Sequence, residues 1–290
     1  MIQSIRPRPR LSWLSVLYLG LIGLACATSP TGRQQLTLFS EQDMAQLGSR
    51  SFAQIKEEQK ISDDAEINRY VECVTQALTT GLPPEWQNGW EVVVFEDESA
   101  NAFALPGRRM GVNTGLLEVA ETPDQLATVL GHEVSHVQAQ HGNERISQQV
   151  AAQIGLSVAA ATTDSDTAAG RATLAALGLG TQYGILLPFS RTHESEADML
   201  GLEIMARSGF EPAESLLLWQ NMAQAGGAQP PEWMSSHPSH RTRINDLTHA
   251  LPRARALSET ARAAGKTPDC LPPPTPLASK THSERATPGP

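Results

Sequence analysis

Hydrophobic residues recur at three- and four-residue spacing in several parts of the chain, as is typical of amphipathic helices. The clearest stripe consists of Leu126, Val129, Leu130, Val134 and Val137. Thr122, Pro123 and Gln125 precede it in the order of an N-cap, a first helical residue and a capping-box partner. A core helix that begins at Thr122 and carries this stripe is therefore predicted. Further helices are predicted over residues 40–60, 65–78, 212–225 and 238–251, and over two Ala/Gly-rich stretches, 146–161 and 168–187, which are too short or too polar to span a membrane.

A second pattern, in the stretch before this helix, indicates a small sheet. Residues 90–95 are rich in β-branched and aromatic side chains, which favour a strand. Residues 101–105 and 109–112 flank a Pro106-Gly107 turn, so they are predicted to pair as a hairpin. The predicted fold class is α+β and mainly helical.

The core helix carries the string H-E-x-x-H at His132, Glu133 and His136. Positions i and i+4 of a helix lie one above the other, so both imidazoles can reach one metal ion. Glu133 points into the same cleft, where it can act as general base on a metal-bound water molecule. The alternative is a surface helix that happens to carry two histidines and a glutamate.

A catalytic zinc ion usually takes three protein ligands and keeps a fourth position for water, so a third ligand is required. His141 is the nearest candidate, but it lies about 140° round an ideal helix from His136. The metzincin pattern would place its third histidine at position 142, which is Gly142. We therefore expect His141 to cap or pack the helix end.

The better candidate lies in the segment SRTHESEADMLG, where Glu194 and Asp198 are spaced i, i+4 and share one side of a helix. A glutamate can complete a His₂Glu site, and a carboxylate one turn later can accept the free N–H of a ligating histidine. A plain polar helix face would show the same pair, so its support comes from its combination with the H-E-x-x-H string. Glu196 is interpreted as solvated or salt-bridging, and His193 as facing away from the metal.

Four segments occur in an order that resembles a known peptidase family. These are NAFALPGRRMGVNTGLL, HEVSHVQAQH, SRTHESEADMLG and SSHPSHRTRI. They resemble the family of the HtpX heat-shock protease, the CAAX prenyl endopeptidase and the Oma-type mitochondrial protease, over roughly residues 30–250. Among these proteins, the chain is most similar to the smaller bacterial periplasmic lipoprotein peptidases.

The resemblance implies a gluzincin with a zincin-like fold, in which a small sheet lies beside the H-E-x-x-H helix. It implies one zinc ion per chain, with His132, His136 and Glu194 as ligands. Glu133 would be the base, and Asp198 would lie behind a ligating histidine.

The resemblance also implies that His237 and Arg243, in HPSHRTRI, border the active site. Both could donate to the oxyanion of a tetrahedral intermediate as catalytic residues. Two alternatives remain for His237: it opens a helix together with Pro238, or it occupies the open zinc position in a resting state. The alternative for Arg243 is a structural salt bridge.

In zinc peptidases of this kind, an edge strand beside the metal holds the substrate backbone as an added strand. We expect the segment 101–104, and in it Asn101, Ala102 and Phe103, or residues 109–112, to do this. Asn101 could instead be only a turn residue.

Composition bounds the chain's organisation and its class of partner. The chain has 290 residues, 40% of them apolar, which is sufficient for one sizeable core. Its formal net charge of −9 argues against nucleic acid and offers no basic patch for anionic lipid. A peptidase domain is predicted over residues 26–252. The Pro-rich tail, residues 253–290, is predicted to be disordered.

Residues 1–25 are predicted to be an export signal, because three arginines precede an apolar run that ends before Cys26. The run resembles a bacterial lipobox, which makes Cys26 the expected site of lipidation. Simple cleavage and an uncleaved anchor are the alternatives. The predicted location is the periplasmic side of the bacterial cell envelope, with a lipid anchor to the outer membrane. Cys73 and Cys270 then form an even pair in an oxidising compartment, where a disulfide between them is possible.

Together these observations predict a zinc-dependent endopeptidase that hydrolyses envelope proteins in protein quality control. Its partners would be protein or peptide substrates, with a possible regulatory partner or self-association. The alternative is a chaperone-like binding module whose metal site is structural or plugged.

Overall fold

The computed structural model describes residues 26–162, 190–225, 237 and 242–273. The predicted signal segment 1–25, the stretch 168–187 and the end of the tail from residue 274 lie outside the described residues. The described strands are β1 (Cys26–Thr28), β2 (Gln34–Leu36), β3 (Glu91–Phe95), β4 (Ala102–Leu105) and β5 (Arg109–Asn113). The described helices are α1 (Glu41–Glu58), α2 (Ala65–Thr79), α3 (Leu116–Val119), α4 (Pro123–Gln138), α5 (His141–Thr162), α6 (Arg191–Arg207), α7 (Glu214–Ala225) and α8 (Thr242–Ala263). The α+β, mainly helical fold class is confirmed.

Helix α4 is the predicted core helix, and it begins as its sequence indicates. The Thr122 hydroxyl accepts the backbone N–H of Gln125 at 3.1 Å, and the Gln125 side chain accepts the backbone N–H of Glu121 at 2.9 Å. The stripe at three- and four-residue spacing is buried. Helix α4 packs against α2, α6, α7 and β4, and so lies at the centre of the core.

The hairpin is also confirmed. Strands β4 and β5 pair antiparallel, and their turn uses positive φ angles of 81° at Gly107 and 63° at Arg108. Strand β3 pairs with the other side of β5 in parallel, which gives the strand order β3-β5-β4. Strand β4 is thus an edge of this sheet, and it is the strand that packs against α4.

Helices α4 and α6 cross with almost no side-chain volume between them, because Gly131 and Gly201 meet at the crossing. A Cβ atom added to Gly201 would lie 2.8 Å from the backbone nitrogen of His132 and 2.9 Å from the carbonyl carbon of Gly131. Backbone atoms cannot move aside as a flexible side chain can. This close approach is what brings side chains of α6 within reach of the α4 histidines.

We expect Gly201→Ala to reduce the free energy of unfolding by about 1–3 kcal/mol, because the new methyl group overpacks the helix crossing. The same displacement should weaken zinc binding. Denaturant unfolding of metal-free protein and a zinc competition titration measure the two effects. The matched control is Gly155→Ala in α5, where an added Cβ atom would meet nothing within 4 Å among the described residues. This control substitution should leave the free energy of unfolding and the zinc affinity nearly unchanged or slightly improved. A Gly201→Ala protein as stable as the wild type would contradict the role of the crossing.

The predicted boundary at residue 252 is wrong, since α8 continues through Pro252 to Ala263. Proline removes one backbone hydrogen bond and usually ends or kinks a helix. Here the helix continues because the residues beyond Pro252 keep a buried face, with Ala254, Ser258 and Ala261 all buried. Disorder of the tail from residue 274 stays a prediction.

A disulfide joins Cys73 in α2 to Cys270, as the even pair of cysteines allowed. Their separation of 197 residues means that the bond ties the C-terminal segment to an early helix. Cys26 lies in β1 and pairs with Leu36 in β2; its lipidation stays a prediction. Among the residues that the structure describes, none of the helices has the length and apolar character needed to cross a membrane.

Candidate active site

Helices α4 and α6 bring the predicted metal ligands together. One nitrogen or carboxylate oxygen from each of His132, His136, Glu194 and His237 lies within 4.8 Å of the others. All four side chains are buried. The histidines come from successive turns of α4, and Glu194 comes from the first turn of α6, whose N-cap Ser190 accepts the backbone N–H of His193.

The spacing of the donor atoms fits a zinc ion. Nε2 of His132 lies 3.0 Å from Nε2 of His136. The Glu194 carboxylate lies 3.4 Å from His132 and 3.5 Å from His136. Ligands about 2.0–2.1 Å from a tetrahedral ion are roughly 3.4 Å apart. The Glu194 Oε2 atom is also buried; His132 Nε2 lies 3.4 Å from it and Arg243 Nη2 lies 3.5 Å from it.

The charge state of Glu194 suits the same role. Burial alone would raise the pKa of this carboxyl group, but hydrogen bonds from His132 and His237 outweigh burial and hold the pKa well below its ordinary value. Glu194 is therefore an anionic donor at neutral pH. Two imidazoles and one carboxylate form the donor set of a catalytic zinc site.

Asp198 lies behind His132, as predicted. Its Oδ1 atom lies 3.0 Å from His132 Nδ1, which fixes the proton on Nδ1 and leaves Nε2 for the metal. Burial lowers the pKa of His132, but the bonds to Asp198 and Glu194 outweigh it and raise the pKa to about 9. Zinc binding at His132 Nε2 therefore competes with protonation of that nitrogen.

Arg243 supports Asp198 instead of facing the open side of the cluster. Its Nε and Nη2 atoms donate to the two carboxylate oxygens of Asp198 at 2.5 and 2.6 Å. Its guanidinium lies 3.8 Å from the centre of the Trp219 ring. Arg243 is 2% exposed, so the pair is a buried ion pair.

His237 lies in the ligand cluster itself. Its Nδ1 atom is 3.1 Å from Glu194 Oε1 and 3.3 Å from His132 Nε2, and its Nε2 atom is 3.4 Å from Glu133 Oε1. The side chain therefore stands where a fourth metal ligand would stand. Of the alternatives that the sequence left open, this geometry favours the occupied fourth position.

Glu133 lies between the cluster and strand β4. It is 2% exposed, and its Oε2 atom accepts the backbone N–H of Ala104 at 3.2 Å. Its other oxygen faces His237. A carboxylate in this position is within reach of both the metal and the edge of the sheet.

The hydrogen-bonding alternation of β4 narrows the predicted substrate-binding segment. The backbone carbonyl of Asn101 accepts from Asn113, so Asn101 and Phe103 direct their backbone groups toward β5. Those of Ala102 and Ala104 face the side of β4 away from β5, where Ala102 is buried and Ala104 is partly exposed. The Phe103 ring also packs against Phe95, with ring centroids 6.1 Å apart.

A cleft of about 660 Å³ runs beside this edge. Its walls include Met44, Trp86, Arg108 and His136, together with the partly exposed edge residue Ala104. Its size and its position next to the metal cluster suit an extended peptide.

His141 has a role that its spacing did not predict. Its Nδ1 atom lies 2.9 Å from Nδ1 of His136, and its Nε2 atom lies 3.2 Å from Glu196. The calculated angle of about 140° assumed an unbroken helix. However, α4 ends at Gln138, Gln140 has a positive φ of 54°, and His141 begins a new helix.

Glu196 and His193 are likewise buried, and neither belongs to the metal cluster, as expected. Glu196 forms a salt bridge with Arg33, so of the two interpretations of its role the salt bridge is confirmed. His193 Nε2 lies 3.0 Å from Glu144. Burial would raise the pKa of Glu144, but hydrogen bonds from His193 and Arg33 lower it to about 2. Nothing in the spacing of these residues indicated that they would meet.

Comparison with known proteins identifies the family. Residues 62–251 match the model of Peptidase family M48. The chain belongs to this family. It is 36% identical over 174 residues to the mitochondrial metalloendopeptidase OMA1 of Schizosaccharomyces pombe, covering 59% of this chain and 50% of the relative. It is 30% identical over 251 residues to the Bos taurus protein of the same name, covering 79% of this chain and 46% of the relative.

A bacterial relative is also similar. The beta-barrel assembly-enhancing protease of Escherichia coli is 27% identical over 231 residues, covering 76% of this chain and 46% of the relative. The M48 chain spans about half the length of the curated relatives that it matches. The match agrees with the resemblance to Oma-type proteases that the motifs indicated.

The predicted location is contradicted by these relatives. Six of them, from S. pombe to Homo sapiens, are named as mitochondrial metalloendopeptidases, and the E. coli protease is less similar in sequence. The expectation of a protein anchored on the periplasmic side of a bacterial outer membrane is therefore wrong.

Proposed function

We propose that this M48 chain is a zinc-dependent endopeptidase that cleaves protein substrates in protein quality control. The observation that carries the proposal is the position of Glu133. Its carboxylate lies between the His132–His136–Glu194 donor set and the open edge of β4. Base, metal site and substrate strand are thus adjacent, as hydrolysis of an extended peptide requires. The relatives named as metalloendopeptidases support the same class of reaction.

In this mechanism, bound zinc would polarise the scissile carbonyl and lower the pKa of an attacking water molecule. Glu133 accepts the proton of that water and passes it to the leaving amine. Glu133 is buried, and its low-dielectric surroundings strengthen its electrostatic interactions with the reacting groups. Asp198 keeps His132 in the tautomer that ligates through Nε2.

Strand β4 would bind the substrate backbone as an added strand. The Ala104 backbone groups, on the partly exposed side of β4 away from β5, are the donor and acceptor for this pairing. The Ala104 N–H now donates to Glu133, so substrate would take over that donor as it enters. The proposal thus places substrate pairing at Ala104, the last residue of the predicted segment 101–104.

His237 would hold the site in a resting state, because a side chain at the fourth position excludes both water and the scissile carbonyl. We expect His237→Ala to raise the rate of proteolysis while three protein ligands still hold zinc. The measurement is the initial rate of casein cleavage at equal zinc loading, with His249→Ala in α8 as a histidine control away from the cluster. A His237→Ala rate well below that of the wild type would contradict the resting-state role and would favour a donor to the oxyanion.

A chaperone-like module with a structural metal is not favoured. Closed structural zinc sites use four Cys or His ligands and have no need of a carboxylate base beside the metal. Here Glu194 is one of the donors and Glu133 adjoins the cluster.

Mass spectrometry of casein fragments tests the proposed function. Purified protein should release internal fragments, chelation should stop their release, and added zinc should restore it. His237→Ala is digested in parallel, so that a resting wild-type site does not hide the activity. Release of single terminal residues would indicate an exopeptidase. Intact casein with both proteins would reject the proposal.

A further inference from the structure

The two metal-binding histidines are supported in parallel ways. His132 is held by Asp198, which is held in turn by Arg243. His136 faces His141, beyond which lie a carboxylate, Glu196, and an arginine, Arg33. Each metal-binding histidine is therefore followed by a series of contacts that ends in a carboxylate–arginine pair. The series behind His136 contains one additional imidazole, that of His141.

Arg33 forms ion pairs with two carboxylates, those of Glu144 and Glu196. Its Nη1 and Nη2 atoms donate to the two oxygens of Glu144 at 2.8 and 2.7 Å, and its Nε atom donates to Glu196 Oε2 at 2.8 Å. These partners are 111 and 163 residues distant in the sequence. Their side chains are 5% and 4% exposed, whereas Arg33 is 23% exposed. The ion pairs are therefore largely removed from solvent, where one missing partner is costly.

Both oxygens of the Glu196 carboxylate have polar partners. Its Oε2 atom receives Arg33 and faces His141 Nε2, and its Oε1 atom accepts the Thr31 hydroxyl at 2.5 Å. Thr31 and Arg33 both belong to the connection between β1 and β2, where Ser29 and Arg33 are joined by a backbone hydrogen bond of 2.8 Å. Strands β1 and β2 pair antiparallel and, with their connection, form the N-terminal hairpin. Through Thr31 and Arg33 this hairpin contacts Glu196, which in turn contacts His141 beside the metal-binding helix α4.

This arrangement fixes where the protons lie. A carboxylate paired with an arginine accepts, so His141 donates from Nε2 and its Nδ1 atom carries a lone pair. That lone pair accepts the N–H at His136 Nδ1, which leaves His136 Nε2 free to ligate. The stacked ring of His193, with its centroid 4.5 Å from that of His141, holds the intermediate imidazole in place.

We propose that Arg33, Glu196 and His141 form a positioning arm through which the N-terminal hairpin orients His136 for zinc. The arm deepens the proposed function, since it rests on a zinc ion at this site. Arg33 lies outside residues 62–251, the part of the chain that the family model matches. The hairpin is thereby a component of the metal site and not only a leading segment.

Two substitutions of His141 separate the two halves of the arm. In His141→Asn, the Oδ1 atom takes the place of Nδ1 and still accepts from His136, but the bond to Glu196 is lost. In His141→Gln, the terminal amide takes the place of Nε2 and keeps Glu196, but the acceptor for His136 is lost. We expect His141→Gln to weaken zinc binding by about 10–100-fold, the range usual for loss of such an outer hydrogen bond, and His141→Asn to weaken it less. Equal losses in the two variants would overturn the proposal.

Arg33→Met tests the hairpin's part by chelator competition for zinc and by the visible spectrum of the Co²⁺-substituted protein. We expect a zinc dissociation constant about tenfold higher and an altered spectrum. On the His141→Asn background, where the arm is already cut, Arg33→Met should have almost no further effect. The matched control is Lys56→Met, which removes a half-buried cation 2.6 Å from Glu91 without touching the arm.

The contrary result is distinct from failure of the proposed function. If Arg33→Met lowers only the thermal stability of metal-free protein, with zinc affinity and Co²⁺ spectrum unchanged, the hairpin is merely structural. Additive losses in the double variant would also reject the arm. Neither readout depends on proteolysis, so a protein that binds zinc through this arm but cleaves nothing would reject the proposed function alone.

Discussion

Replacing Glu133 by Gln should lower the rate of casein cleavage by about 10²–10⁴-fold, the usual contribution of a positioned general base. Gln preserves the shape of the side chain but cannot accept the proton of the attacking water. It can still accept the Ala104 N–H that Glu133 accepts at 3.2 Å, so the edge strand should keep its place. The loss should therefore appear in kcat and leave KM nearly unchanged.

Zinc content distinguishes loss of the base from loss of the metal. Glu133→Gln should bind one zinc ion per chain with wild-type affinity, because its carboxylate is not one of the clustered donors. Glu118→Gln, the same chemical change at an exposed position in α3, should behave as wild type. Full cleavage by Glu133→Gln would reject its role as base, whereas loss of both zinc and cleavage would make Glu133 a ligand.

Replacing Asp198 by Ala should give the largest loss of stability, about 3–5 kcal/mol, because the buried Arg243 loses both hydrogen bonds to Asp198 and keeps only the more distant Glu194 carboxylate at 3.5 Å. Arg243 donates to both oxygens of Asp198 and is 2% exposed, so little solvent is available to replace the lost partner. The same substitution removes the acceptor from His132 Nδ1 and should weaken zinc binding by about 10–100-fold. Thermal and denaturant unfolding of metal-free protein measures the first effect, and chelator competition measures the second.

The double variant Asp198→Ala with Arg243→Met separates the loss of stability from the loss of zinc affinity. Removing the buried guanidinium that has lost Asp198 should recover much of the stability, while zinc affinity stays low because His132 still lacks its acceptor. A single Asp198→Ala variant that loses less than about 1 kcal/mol would contradict the picture of a buried ion pair.

The sequence predicted those parts of the site that depend on local pattern. Helix α4 carries its own cap and stripe, so its two histidines and Glu133 could be placed from spacing alone. Glu194 and Asp198 share a helix face, which predicted their joint use. Their assignment to this metal came from the family resemblance, because spacing does not say which helices meet. The Gly131–Gly201 crossing that joins α4 and α6 was not evident from any local signal.

The roles of His141, Arg33 and Glu196 could not be predicted from residue spacing, because they depend on a local break in a helix and on long-range contacts. His141 reaches His136 only because the chain breaks its helix at Gln140, at a positive φ that non-glycine residues seldom adopt. Arg33 and Glu196 meet across 163 residues of sequence. No local pattern sets Arg33 apart from other charged residues, and the spacing of Glu196 indicated only a solvated or salt-bridging role.

Two further predictions failed for different reasons. The boundary at Pro252 relied on local helix propensity, and the buried face of α8 beyond it overrode that propensity. The location relied on a short N-terminal pattern, and targeting signals are recognised by receptors and not through the packing of the fold. The mitochondrial relatives contradict that location without affecting the description of the site.

Titration of zinc into chelator-treated protein, followed by the rate of casein cleavage, tests the central claim most directly. The rate should rise in proportion to added zinc and reach a plateau at one zinc ion per chain, with His237→Ala following the same stoichiometry. Glu133→Gln should bind the same amount and remain inactive. Cleavage that persists in full without zinc, or that is absent from both wild type and His237→Ala at every zinc level, would contradict the assignment of this cluster as the centre of a zinc peptidase.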